Sequence, residues 1–205
     1  MPRSQMIALS FELNNSIEKG NRPAIDGRAV SFFQLNSLIT RHMMPEHATE
    51  EIYLMAMSAS ERLRRFHDQF SSNDSVLVLI NADPDAIASA MAISRLLWHK
   101  VTNTTIGHIN IVDRPDNLAM IRLLSVKMTH VDDILAERFD RTVIVDSQPS
   151  HSDLYAAFTF DVVIDHHPDT GVKAAFTDIR PKYGATASIM TEYLRAARIK
   201  PVSYT

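Results

Sequence analysis

Three apolar runs in this sequence each stop at an acidic residue. SVLVLI (75–80) leads into Asn81-Ala82-Asp83-Pro84-Asp85, RTVIV into Asp146 and Ser147, and FDVVI into Asp165, His166 and His167. Short continuous apolar runs bounded by polar residues read as strands buried on both faces, the pattern of a parallel sheet. TTIGHINIV, KMTHV and KAAFTDI read as three further strands. Helical patterns lie between them. One runs through Trp98 with Ile87, Met91, Ser94 and Trp98 on one face, and one runs from Pro115, at a first helical position, to Leu124. Others cover Asp132 to Phe139, the short SDLYAAF and the closing ATASIMTEYLRAAR. Strands alternating with helices predict an α/β fold, a mainly parallel sheet with helices on both faces.

The polar cluster SSNDS (71–75) divides the chain into an N-terminal extension, 1–72, and a domain, 73–205. In the extension, Asp26-Gly27 reads as a hairpin turn. Thr49 to Phe70 reads as an amphipathic helix capped by Thr49, with Ile52, Met55, Ala59, Leu63, Phe66 and Phe70 on one face. That face is expected to pack on the domain or on a second subunit, a homodimer being the partner in the second case. No apolar run approaches the ~20 residues of a membrane span, and the N-terminus lacks a secretory pattern, so a cytoplasmic location is expected.

In an open α/β sheet, ligands bind at the carboxyl ends of the strands. The strand ends here carry Asp83, Asp85, Asp146 and Asp165 with His166 and His167. Taken singly, Asp85 reads as a helix cap, and Asp146 as a cap or a turn. Taken together, unpaired carboxylates on one rim repel one another, and a divalent cation relieves that repulsion. There are no cysteines, so thiolate zinc sites and disulfides are excluded and any ligands are Asp, Glu and His. Such a set suits Mn²⁺, and Mg²⁺ less well. With 24 acidic against 21 basic residues, no global basic field draws in nucleic acid. The 5 glycines form no phosphate-binding loop signature.

INADPDAIASAMAI, VIVDS, VVIDHH and YGATASIMTEYL resemble, in order, motifs of the DHH phosphoesterase superfamily, in its RecJ-like and nanoRNase branch. The resemblance covers residues 75–195, and what it matches is the N-terminal DHH domain. It implies that Asp83 and Asp85 bind two metal ions, that Asp146 bridges them and that His166 is a further ligand. His167 would lie by the scissile phosphate, and Asp165 would orient the histidine pair. The implied activity is hydrolysis of phosphodiester or phosphomonoester bonds in short oligonucleotides or small nucleotides by a metal-activated hydroxide, with up to two Mn²⁺ or Mg²⁺ ions. Two departures stand out. Leu79 occupies the position of a family metal-binding His. The sequence also stops at Thr205, before a further family Asp and a C-terminal substrate domain, so it reads as part of a longer protein, and Asp178 falls too early to be that Asp. Weak metal binding is expected. A degenerate, non-catalytic nucleotide-binding or regulatory domain is the alternative, and an interaction module whose N-terminal helix mediates dimerisation is a third reading.

Overall fold

The computed structural model describes residues 24–25, 28–29, 57–134 and 138–200. The chain divides into two compact units, Met1–Ala56 and Met57–Thr205. In the first, strands β1 (Ala24–Ile25) and β2 (Arg28–Ala29) pair antiparallel, with Ala24 opposite Ala29 and Ile25 opposite Arg28. Asp26 and Gly27, which the sequence reads as a hairpin turn, lie outside the described residues.

The second unit begins with helix α1 (Ala59–His67). Ser58, in extended conformation, caps it by accepting a hydrogen bond from the Glu61 N–H at 3.2 Å. The cap is thus Ser58 and not Thr49, which lies outside the described residues along with Ile52 and Met55. Leu63 and Phe66 are buried, and the Phe66 ring meets Phe70, Phe176 and Tyr193 edge-on. The apolar face of this helix is therefore covered by its own chain.

The rest of the unit is a parallel sheet of six strands. In chain order come β3 (Ser75–Ile80), α2 (Pro84–Leu97), β4 (Asn103–His108), α3 (Pro115–Leu123), β5 (Thr129–His130) and α4 (Val131–Ile134). After them come β6 (Arg141–Val145), two short 3₁₀ turns at Pro149–His151 and Asp153–Ala157, β7 (Val162–Asp165), β8 (Phe176–Ile179) and α5 (Thr186–Ala196). The strand order is β5-β4-β3-β6-β7-β8, and every neighbouring pair is parallel.

Alternation along the central strands feeds two apolar layers. Val76, Val78, Ile80, Val143, Val145, Val162 and Ile164 face α1, α2 and α5. Leu77, Leu79, Ile144 and Val163 face α4 and the Asp153–Ala157 turn, against Val131, Ile134, Tyr155 and Phe160. Strands buried on both faces must be apolar at every position, which is why these runs are continuous in the sequence.

The buried face of α2 differs from the expected one. Ala86, Ile87, Ala90, Ile93 and Leu97 are buried, whereas Trp98 is 59% exposed. The helix ends at Leu97, and Trp98 has left helical geometry (φ −58°, ψ 128°), so helical periodicity no longer sets its direction. Its ring instead stacks on His99 and lies 4.2 Å from the Arg95 guanidinium carbon. No helix among the described residues is long and apolar enough to cross a membrane.

Candidate metal centre

Strand β3 comes first in the sheet and ends in its middle. The chain builds outward from it through β4 and β5, then returns to its other side with β6. Loops after β3 and β6 therefore diverge, and a crevice opens between them at the carboxyl ends of the strands. Asp83 and Asp85 follow β3, Asp146 follows β6, and His166 and His167 follow β7. These five residues lie on three segments at that end of the sheet.

Asp83 is the N-cap of α2. Its extended backbone (φ −136°, ψ 178°) puts the carboxylate over the helix end, where Oδ1 accepts the Ala86 N–H at 2.9 Å. The capping role that the sequence suggests for Asp85 thus falls to Asp83. Asp85 lies inside the first turn of α2 and reaches across to a different helix. Its Oδ2 accepts the Thr186 N–H at 2.8 Å and its Oδ1 the Ala187 N–H at 2.7 Å, so it caps α5. Asp146 sits at φ 60°, a left-handed conformation that Asp tolerates better than most residues, and its N–H donates to the Ile164 carbonyl. Its Oδ1 accepts the Thr186 hydroxyl at 2.7 Å.

His166 completes the group. Its Nδ1 lies 3.2 Å from the Tyr183 carbonyl, which can only accept, so Nδ1 donates there and Nε2 is the nitrogen turned to the carboxylates. That Nε2 is 3.6 Å from Asp146 Oδ1 and 3.9 Å from Asp85 Oδ2. A ring fixed through one nitrogen with the other facing carboxylates is the usual posture of a metal-binding imidazole. Asp83 acts on Asp146 through its charge.

Burial first, and then the charges of Asp85 and Asp83, push the Asp146 carboxyl up to about 7 against the pull of Thr186 and His166. Among the described residues no Lys or Arg pairs with Asp83, Asp85 or Asp146. Carboxylates crowded beside an imidazole, with no Lys or Arg partner among the described residues, fit a divalent cation. Asp146, His166 and His167 offer ligand atoms within 4.8 Å of one another and would hold it, with Asp85 beside them at 3.9 Å from His166 Nε2.

Asp165 is fully buried and organises the histidine pair. Its Oδ1 accepts the His166 N–H at 2.9 Å and His167 Nδ1–H at 2.8 Å, and its Oδ2 accepts Gln148 Nε2–H at 2.7 Å. Burial alone would raise its pKa, but the hydrogen bonds from Gln148 and His167 outweigh burial and hold it below the ordinary carboxylate range. Burial likewise opposes the charged form of His167, but the Asp165 carboxylate beside it prevails and raises its pKa.

His151, Asp165 and His167 form a second cluster whose nearest donor atoms lie within 4.8 Å of one another. It does not suit a metal, because its inner atoms are already engaged. Asp165 Oδ1 serves the two histidines, and His151 Nδ1 accepts the Gln148 N–H at 3.2 Å.

The local signals in the sequence do not reveal the residues that hold these loops in place. Asn110 clamps the loop ahead of Asp83 by accepting the Ala82 N–H at 2.6 Å and donating to the Ala82 carbonyl at 3.0 Å. Gln148, wholly buried, joins the loop after β6 to the loop after β7 through Asp165, Pro168 and Thr170. Thr186 and Tyr183 lie within the motif YGATASIMTEYL, and Gln148 directly follows VIVDS.

Leu79 is fully buried in the layer beneath the sheet with Leu77, Ile144 and Val163. Its Cδ1 lies 3.1 Å from where a side chain on Gly107 would start, so the space around it is filled. Leu79→His is therefore expected to lower stability by about 2–3 kcal/mol, through lost apolar burial and an imidazole without partners, and not to tighten Mn²⁺ binding. Urea denaturation and Mn²⁺ calorimetry of the variant check this; unchanged stability with tighter binding would contradict it.

The family model described as "DHH family, N-terminal domain" matches residues 75–204. An uncharacterized protein of Methanocaldococcus jannaschii is 38% identical over 126 residues, which make up 62% of this chain and 26% of that relative. The chain thus aligns with about a quarter of that relative's length. The crystal structure of an exopolyphosphatase-related protein from Bacteroides fragilis aligns over 67% of this chain and 43% of its own, at 17% identity and a TM-score of 0.45.

Proposed function

The chain belongs to the DHH family, and we propose that its second unit is a metal-dependent phosphoesterase domain. Its substrates would be short oligonucleotides or small nucleotides, cleaved at phosphodiester or phosphomonoester bonds. The observation that carries this reading is the convergence on His166 Nε2 of Asp146 at 3.6 Å and Asp85 at 3.9 Å, at the switch point of the sheet.

A divalent ion bound there supplies Lewis acidity toward a phosphoryl oxygen and lowers the pKa of water. The side chains have separate tasks. Asp146, its pKa raised by burial and then by the charges of Asp85 and Asp83, would offer its carboxylate to the ion. His166 is aimed by the Tyr183 carbonyl. His167, its Nδ1–H held by Asp165 and its side chain 43% exposed, can hold a proton for the departing oxygen.

One observation favours the degenerate, non-catalytic reading: both oxygens of Asp85 already serve as the cap of α5. Two measurements separate the readings, Mn²⁺ calorimetry of the chain and its turnover of a panel of small phosphoesters. The phosphoesterase reading expects weak but stoichiometric Mn²⁺ binding and Mn²⁺-dependent phosphate release. Absence of both would leave the structural role of Asp85 as the whole of its function.

A further inference from the structure

His151 stands at the rim of this crevice and belongs to none of the motifs that the family resemblance supplies. The Gln148 N–H donates to its Nδ1 at 3.2 Å, and the Ser147 hydroxyl lies 3.3 Å from the same atom. A backbone N–H can only donate, so Nδ1 must present its lone pair and the proton of the neutral ring sits on Nε2. This is the reverse of His166, whose Nδ1 carries the proton. The outer nitrogen of His166 is a ligand atom, whereas that of His151 is a hydrogen-bond donor.

The ring is held in a fixed place. Gln148, at the foot of the turn, accepts from the Thr170 N–H at 2.9 Å and the Thr170 hydroxyl at 2.7 Å, and donates to the Pro168 carbonyl at 3.0 Å. Ser150 adds a hydrogen bond to Thr170 at 3.0 Å. The Pro149–His151 turn is thereby latched to the loop that follows His167. The His151 ring stands edge-on to the His167 ring, with centroids 5.5 Å apart. His151 is nevertheless exposed, and the His167 side chain is 43% exposed. A donor this well anchored but left open to solvent has its partner outside the protein.

We propose that His151 is a phosphate-binding residue whose Nε2–H donates to a non-bridging phosphoryl oxygen of the substrate, beside His167. This rests on the phosphoesterase reading for the identity of the anion. With Nδ1 taken by the Gln148 N–H, the ring presents its other N–H outward as a single directed donor, which suits a phosphoryl oxygen.

The test uses the whole chain with Mg²⁺, a diamagnetic ion, and inorganic phosphate as the probe. Long-range ¹H–¹⁵N spectra should show His151 protonated at Nε2, with that resonance shifting saturably as phosphate is added. His151→Ala should weaken phosphate binding about tenfold, the value of one hydrogen bond to a charged acceptor, and raise KM for a small phosphoester more than it lowers kcat. His151→Gln, which keeps an N–H donor, should recover part of the loss, whereas a purely structural role would not distinguish the two variants once both are shown to fold by thermal melting. A His151 protonated at Nδ1, no response to phosphate, or His151→Ala binding phosphate like the wild type would each overturn the proposal. Calorimetry with Mn²⁺ separates the two ideas: ion binding with a silent His151 removes this proposal alone, and a responsive His151 without ion binding or turnover removes the phosphoesterase reading alone.

Discussion

Asp146→Asn is expected to make the metal-free chain more stable than the wild type at pH 8 and to leave the two alike near pH 3. An Asp in the unfolded chain titrates near 3.8, and in the folded chain burial and the charges of Asp85 and Asp83 push Asp146 up to about 7. Between those values the folded state holds a proton that the unfolded state has released. The stabilisation is complete below about 3.8 and is lost as pH rises through about 7. Wild-type stability therefore falls across this window by a few kcal/mol, on the scale of about 1.4 kcal/mol per unit of pKa. Asn imitates the protonated acid, retains an oxygen for the Thr186 hydroxyl, and removes the slope. Saturating Mn²⁺ should reverse the order at pH 8, because the ion stabilises only a chain that binds it. Urea melts at pH 4 and 8, with chelator and with Mn²⁺, read all four cases. Wild-type and variant curves running parallel in chelator would show that Asp146 is not the strained carboxylate.

Asp178→Ala should remove about 3–5 kcal/mol of stability, the range for breaking a buried ion pair from one side. Asp178 is 3% exposed and accepts from Arg180 Nε at 2.7 Å, Arg180 Nη2 at 2.6 Å and the Tyr193 hydroxyl at 2.6 Å. Arg62 of α1 lies 3.6 Å away, and its other guanidinium nitrogens reach Glu192 at 3.8 Å and the Met57 carbonyl at 3.2 Å. Removing the carboxylate leaves two guanidinium groups and a phenol facing a void, so the loss exceeds that of the contact itself. Tyr193→Phe deletes one hydrogen bond from the same cluster and should cost only about 1 kcal/mol. Equal effects of the two substitutions in urea denaturation would show that Asp178 does not act as the hub joining α1, β8 and α5.

The strands were legible because burial on both sides of a parallel sheet demands unbroken apolar runs, and Leu77 to Ile80 or Val143 to Val145 tolerate no polar residue. The edge strand β5, reduced to Thr129–His130, was legible in place but not in length, since one flank is unpaired and selects weakly. The gathering of acids at one end followed from three strands ending in Asp. What each acid touches did not. Asp85 bonds to Thr186 across 101 positions, and Gln148 to Thr170 across 22, and no local periodicity encodes contacts that arise only after the sheet is assembled. Trp98 was misplaced for a different reason: the helical repeat was extended one residue past the point where the backbone leaves the helix. Asp178, set aside as a metal ligand for its early position, proved to be buried among arginines on α1 and after β8.

The cap that Asp85 places on α5 also governs when the crevice comes into existence. During synthesis β3, β6 and β7 emerge with all their acids and histidines before α5 does. Until that helix docks, Asp85 has no amides to receive it, Asp146 lacks the Thr186 hydroxyl, and the Tyr183 carbonyl that aims His166 has no anchored position. Closing so long a loop comes late in folding, because the chain entropy lost must be offset by contacts already in place. A nascent chain therefore carries the acids and histidines of the crevice without its geometry. Helix α5, which follows β3, β6 and β7 in the chain, is the element that gathers a row of acids into one crevice.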